Sequence, residues 1–242
     1  VIGLFIETAR NPEGFEAALR KAAQRRIPIV ALKVGRTAES ARLTVSHSGA
    51  MAGDDATYEA LFDRYGVQRV HDQDQLATAL IMFAELHPVG AGGLVSLHDS
   101  GGERQLLVDL AYDADVPLTR LSDETKEKLT AVLDPELPAV NPLDAWSRGG
   151  PDASKMMTRG LTLMMQDPGA ALGAVIHDRA PYGKIYASYL SYMQRARADS
   201  GKPVALVAAR QGTCPDAAVV TSTHAGYPVL DGVSQFLKGV HA

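Results

Sequence analysis

Val1-Ile2-Gly3-Leu4-Phe5-Ile6 opens the sequence as an apolar run, and Pro28-Ile29-Val30-Ala31-Leu32-Lys33 repeats the pattern after an amphipathic stretch at residues 11–25. Apolar runs of this length, bounded by polar and turn residues, read as buried strands, and the stretch between them has helical spacing. Strand, helix and strand within about 30 residues form a parallel crossover unit. This one unit decides the fold class as α/β, built on parallel sheet.

The same alternation extends outward. Residues 34–54 read as a polar loop spotted with glycine, and residues 55–65 and 72–86 as helices. The stretch His87-Pro88-Val89-Gly90-Ala91-Gly92-Gly93 reads as a linker, dividing the chain into one domain at 1–88 and a second at 89–242. The second domain restarts with strands expected at 93–97, 173–177 and 203–208, and helices at 102–113, 122–133, 152–166, 182–199 and 231–240. Asn141-Pro142-Leu143-Asp144 reads as a loop. Buried strands alternating with helices imply two open, mostly parallel sheets with helices on both faces.

With 242 residues, 46% hydrophobic and 21% charged, the chain can fill two packed cores and lies outside the disordered range. Its 24 Lys and Arg against 28 Asp and Glu leave a net charge of −4 with no basic block, which argues against nucleic acid as a partner. The single cysteine, Cys214, cannot make an internal disulfide, and no Cys/His spacing suits a structural metal, so a reducing cytoplasmic setting is expected. No apolar run approaches the roughly 18 residues of a membrane span, so no membrane partner is expected. The start, a buried-strand pattern without methionine, suggests a piece of a longer protein.

In open parallel sheets, ligands gather beyond the carboxyl ends of the strands. Three segments qualify: Glu7 after the first strand, Ser46-His47-Ser48-Gly49-Ala50-Met51-Ala52-Gly53 after the second, and His98-Asp99-Ser100-Gly101-Gly102-Glu103 opening the second half. All three are candidates to face one cleft. Neutral imidazole is nucleophilic near pH 7, and His47 sits among small residues that leave its ring nitrogens accessible. A carboxylate on one nitrogen fixes the tautomer and stabilises a cation or phosphoramidate at the other, and Glu7 is the candidate. The ordinary alternative is an exposed loop histidine beside a surface acid.

Ser100-Gly101-Gly102 leaves backbone N–H groups free to meet a phosphate or carboxylate at a helix N-terminus, whereas Asp99 or Ser100 acting as a plain N-cap is the ordinary alternative. A hydrolase elbow, with Ser100 as nucleophile and His224 as base, is disfavoured because His98 stands where that motif needs glycine. Neither a dinucleotide glycine fingerprint nor a Walker lysine is present. Cys214 reads as a buried small hydrophobe, His71, His87 and His177 as surface or structural histidines, and Met156, Met157, Met164 and Met165 fall at helical spacing as core packing.

At these residues the sequence resembles the NDP-forming acyl-CoA synthetases, the superfamily of ADP-forming acetyl-CoA synthetase and succinyl-CoA synthetase. Leu32-Lys33-Val34-Gly35-Arg36 is similar to its Lys-x-Gly-Arg segment, and Ser46 through Asp54 to its Ser-His-Thr-Gly-Ala-x-Ala-Gly phosphohistidine loop. Phe5-Ile6-Glu7 resembles the strand end carrying the histidine-stabilising glutamate. Residues 96–106 resemble the turn opening a phosphate-binding helix, and Asn141-Pro142-Leu143-Asp144 resembles a recurrent Asn-Pro-Val-Asp loop. The sequence departs from the family at Asp99-Ser100-Gly101-Gly102-Glu103, where Asn-Ala-Gly-Gly-Pro is common and two acids here oppose an anion unless they turn away.

The resemblance implies two flavodoxin-like, succinyl-CoA synthetase-like domains, with His47 and Glu7 catalytic and Ser100, Gly101 and Gly102 binding phosphate. It implies that ATP phosphorylates His47, that the phosphoryl group passes to a small carboxylic acid, and that CoA attacks the acyl phosphate. CoA and ATP/ADP with Mg are then substrates of the complete enzyme, an oligomer, and none is held tightly by this piece. A CoA-binding domain and an ATP-grasp domain are the implied partners, in cis or as separate subunits. The alternative is an inactive regulatory or scaffold module of the same fold, as in fusions to protein acetyltransferases. Trp146, beside the Asn-Pro-Leu-Asp loop, is a hint toward the acid site only.

Overall fold

The computed structural model describes residues 1–48, 53–86, 89–146, 149, 152–179, 185, 187–212 and 216–241, without the side chains of 45–48. The chain divides into two compact units, Val1–Ala84 and Glu85–His241. Both are built on parallel sheet with helical connections.

The first unit runs β1 (Ile2–Ile6), α1 (Pro12–Gln24), β2 (Ile29–Lys33), α2 (Ala38–Ser48), α3 (Asp55–Tyr65), β3 (Val67–Val70) and α4 (Gln73–Glu85). Its three strands pair in the order β1-β2-β3, all parallel. All five residues of central β2 are buried, and alternate residues serve opposite faces. Ile29 and Ala31 pack with Leu19 of α1 and with Tyr58 and Phe62 of α3. Val30 and Leu32 pack with Ala79 of α4 on the other face. Cover on both faces is why β2 reads as a continuous apolar run rather than an alternation. Local signals frame the helices: Asn11 accepts the Gly14 N–H at 3.0 Å ahead of Pro12, and Gly66 closes α3 at φ 65, a left-handed position that glycine adopts without strain.

Helix α2 corrects the expectation of a loop across 34–54, because it includes His47. The hydroxyls of Thr37 and Thr44 serve the helix instead of competing with it. Thr37 Oγ1 accepts the Ser40 N–H at 3.2 Å, and the Thr44 hydroxyl donates back to the Ser40 carbonyl at 3.1 Å. Strand β3 also escaped the sequence pattern, since only Val67 and Val70 of its four residues are buried.

The second unit runs β4 (Gly93–His98), α5 (Gly101–Asp113), α6 (Asp123–Thr130), β5 (Leu143–Asp144), α7 (Ala153–Gln166), β6 (Ala170–His177), α8 (Ala187–Ser200), β7 (Val204–Ala208), α9 (Ala217–His224), β8 (Val229–Asp231) and α10 (Val233–His241). The strands pair in the order β5-β4-β6-β7-β8, again all parallel. Val95, Leu97, Val175 and Leu206 meet Met157, Leu161 and Met164 of α7 and Tyr192 and Met193 of α8 in one core. Helices α5 and α10 pack together and against β4 and β7 respectively. Three of the four clustered methionines, Met157, Met164 and Met165, are fully buried, as core packing requires.

The Asn141-Pro142-Leu143-Asp144 segment is part strand, because Leu143 and Asp144 pair with Leu97 and His98. Asn141 secures it there by accepting the Ser96 N–H at 3.0 Å and donating to the Leu94 and Thr119 carbonyls at 2.9 and 3.0 Å. Helix α9 and strand β8 were likewise not expected. Gly49 to Ala52, the side chain of His47, His87, Cys214 and the first residues of the helix expected at 182 lie outside the described residues. No helix among the described residues is long and apolar enough to cross a membrane.

Candidate functional site

In the first unit, β1 and β2 end together. Ile6 is in register with Lys33, and the Val34 N–H donates to the Ile6 carbonyl at 3.0 Å, so Glu7 and residue 34 leave the sheet side by side. Gly35 then turns the chain at φ 80, with its N–H on Ser40 Oγ at 3.2 Å, and leads into α2. His47 stands in the last turn of α2, one residue before Ser48 ends it. Its backbone is therefore helical, not that of the loop expected from its Ser and Gly neighbours. The chain is next described at Gly53 and Asp54, where Asp54 caps α3 by accepting the N–H and hydroxyl of Thr57, both at 3.1 Å.

Between these segments lie two residues whose roles were not singled out from sequence. Lys33, the final residue of β2, is only 5% exposed and holds its ammonium 4.7 Å from the centre of the Tyr58 ring. Burial pushes the Lys33 amine below its ordinary range, opposed by the nearby carboxylates of Asp55 and Glu7 and reinforced by Arg69. The signal for Lys33 was present, as a charge ending an otherwise apolar run. Tyr58 gave none. Its ring packs edge-on to Phe62 at 5.9 Å, and its hydroxyl accepts the Ala9 N–H at 2.7 Å.

In the second unit, α5 opens just beyond the carboxyl end of β4. Ser100 takes the N-cap position in extended conformation, yet its side chain makes no capping bond, and the Asp99 carboxylate is engaged by the Tyr189 hydroxyl. Plain side-chain capping, the ordinary alternative for this turn, is therefore not what holds the helix start. A Cβ on Gly101 would lie 3.6 Å from Asp144 Oδ2 and one on Gly102 3.9 Å from Ser100 Oγ, so the approach to both backbones is open.

Glu103, in the first turn of α5, is half-buried. Burial first, then the charges of Asp99 and Asp178, push its carboxyl up to about 7. Below that pH it is largely neutral, which removes one of the two negative charges expected to oppose an anion here. His98, fully buried, faces Ser96 Oγ at 3.0 Å through Nε2 and is held neutral by burial down to about 3. His177, at the end of β6, is also buried, with its ring centre 4.8 Å from that of Tyr189. His71 is exposed.

The elbow pairing of Ser100 with His224 is not formed. Ser100 follows the carboxyl end of β4, whereas His224 ends α9, which leads into the amino end of the parallel strand β8. The two therefore belong to opposite ends of one sheet. No group of three or more His, Cys, Asp or Glu residues able to hold a metal occurs among the described residues.

A family model described as succinyl-CoA ligase like flavodoxin domain matches residues 1–83. A trans-feruloyl-CoA synthase from an unknown prokaryotic organism is 30% identical over 180 residues, which is 74% of this chain and 25% of that protein. An ADP-forming acetate–CoA ligase of Methanocaldococcus jannaschii is 30% identical over 144 residues, 60% of this chain and 20% of its own length. The alpha subunit of the ADP-forming acetate–CoA ligase II of Pyrococcus furiosus is 29% identical over 169 residues, 69% of this chain and 35% of the subunit. The chain thus spans between about a fifth and a third of these relatives.

Among solved structures, the dinucleotide-forming acetyl-coenzyme A synthetase 1 of Ca. Korarchaeum cryptofilum, in complex with phosphate and ADP, superposes with a TM-score of 0.80. That match covers 99% of this chain and 51% of the other at 20% identity, and it speaks to fold. With two α/β units built on parallel sheet, a matching family model over residues 1–83 and ADP-forming CoA ligases among its relatives, the first domain belongs to the succinyl-CoA ligase like flavodoxin domain family and the chain is related to the ADP-forming CoA ligases.

Proposed function

We propose that the chain is the phosphoryl-carrying part of an ADP-forming acyl-CoA synthetase, an acid–thiol ligase in which His47 holds the phosphoryl group. A ring nitrogen of His47 attacks the γ-phosphorus of ATP and ADP leaves. A carboxylate oxygen of the acid then takes the phosphoryl group and frees the imidazole. The CoA thiolate attacks the acyl carbon, and phosphate departs. Glu7 orients the imidazole and offsets positive charge on it. The observation that carries this reading is the register of β1 with β2, Ile6 opposite Lys33, which sends Glu7 and the chain leading to His47 out of the same end of one parallel sheet.

Helix α5 of the second unit carries, in its own first turn, donors of the kind a phosphoryl group needs. Ser100, Gly101 and Gly102 offer backbone N–H groups at the positive end of the helix dipole, and the raised proton affinity of Glu103 lessens the negative charge that opposes an anion there. ATP with Mg, the acid and CoA are substrates, and CoA-binding and ATP-grasp modules are the partners that bring two of them.

The complete protein is therefore expected to make acyl-CoA with ADP as the nucleotide product, and the 242 residues alone to make none. Acyl-CoA formed with AMP as product, or turnover by the 242-residue piece alone, overturns the proposal.

A further inference from the structure

We infer that Tyr58 is a positioning residue for the proposed histidine phosphorylation, fixing the chain just beyond Glu7 against the segment that starts at Gly53. The inference rests on the phosphohistidine reading of His47 and adds a residue to it. Three contacts converge on this one side chain. Its hydroxyl accepts the N–H of Ala9, two residues beyond Glu7, at 2.7 Å. Its ring edge meets Gly53, six residues beyond His47, so closely that a Cβ there would lie 3.0 Å from Cε2. Its ring face carries the Lys33 ammonium at 4.7 Å, at the strand end opposite Ile6.

The ring can serve as a fixed reference because it is itself fixed. Tyr58 is 8% exposed and lies between the rings of Phe15 and Phe62, with centroid distances of 6.3 and 5.9 Å. A core-packing role accounts for the ring alone. It does not account for the hydroxyl, since a phenylalanine fills the same volume without bringing a polar atom into a half-buried place. The hydroxyl instead satisfies an amide of the loop that follows Glu7, where the sheet ladder has ended. A carboxylate that must meet one imidazole nitrogen within a few tenths of an ångström needs such a tether.

The test is a double-mutant cycle on the complete enzyme, with labelled ATP as phosphoryl donor and the rate of His47-dependent labelling as the readout. Tyr58→Phe keeps the ring packing and is expected to fold. It should slow labelling by about tenfold when Glu7 is present and by less than about twofold in a Glu7→Gln background, because an effect passed through Glu7 vanishes with it. Val70→Ala, which loosens the core on the opposite face of the sheet from Tyr58, should leave the labelling rate unchanged. Wild-type rates in Tyr58→Phe, or an equal loss in both backgrounds, overturn the inference while leaving a labelled His47 in place. A wild-type enzyme that never labels at His47 overturns it together with the reading beneath it.

Discussion

Glu103→Gln isolates the charge that sits at the mouth of α5. Burial holds the Glu103 carboxyl near 7 against an ordinary value of 4.5, so the folded protein binds that proton more tightly than the unfolded chain does. The stabilisation is complete below about 4.5 and is lost as pH rises through about 7. A tenfold change in proton affinity corresponds to about 1.4 kcal/mol. The whole rise from 4.5 to about 7 therefore bounds the effect at about 3 kcal/mol, and solvent around this half-buried group reduces it to roughly 1–2 kcal/mol. Gln has the shape of the protonated acid and no charge to lose, so the variant should escape the penalty at alkaline pH.

Trp146 is the only tryptophan and belongs to the second unit, so its fluorescence reports the unfolding of that unit. For a unit of this size the expected gain in Tm over wild type grows by about 3–6 °C between pH 5 and 8.5. Contributions from His98 and His177 cancel in the difference. A Tm difference that stays constant across this range refutes the burial argument for Glu103.

Gly102→Val should leave Tm within about 1–2 °C of wild type, because the nearest atom to its Cβ is Ser100 Oγ at 3.9 Å, yet reduce His47 phosphorylation in the complete enzyme by at least about tenfold. Gly93→Ala should cost about 1–3 kcal/mol, read as a lower denaturation midpoint, since its Cβ would lie 2.8 Å from both the Pro117 carbonyl oxygen and the Thr119 nitrogen, which are backbone atoms with little room to yield. His98 is held from an ordinary 6.5 to about 3, so its contribution is present above 6.5 and is lost as pH falls toward 3. Stability should therefore drop by up to about 1.4 kcal/mol for each step of one in pH below 6.5, and His98→Asn should flatten that slope in denaturant titrations.

What the sequence revealed and what it hid divide on physical lines. Strands β2 and β7 were plain because all their residues are buried between two helical layers. Strand β3 carries Gln68 and Arg69 in its middle, and the terminal guanidinium nitrogens of Arg69 find partners only in three dimensions, in Asp55 and Glu59. Helix α9 is rich in β-branched residues and depends on Asp216 accepting the Ala218 N–H at 2.9 Å, a cap worth about 1 kcal/mol. The segment around His47 was recognisable as a motif while its conformation was not, because Ser and Thr favour loops until their hydroxyls find helical partners, as Thr37 and Thr44 do. That Glu7, Ser100, Gly101 and Gly102 follow the carboxyl ends of strands was legible from the apolar runs before them. The raised proton affinity of Glu103 and the contact of Tyr58 with Ala9 were not, since burial and a partner 49 residues away leave no local mark.

The proposed chemistry stands or falls on whether His47 carries a phosphoryl group. The direct measurement is to expose the complete enzyme to labelled ATP and locate protein-bound label that is stable to alkali and labile to acid, in wild type and in His47→Asn. A phosphohistidine at this position requires such label in the wild type, its discharge on adding the acid substrate and CoA, and its absence from His47→Asn. Label that persists in His47→Asn, or a wild-type protein that turns over acyl-CoA without ever becoming labelled, contradicts it.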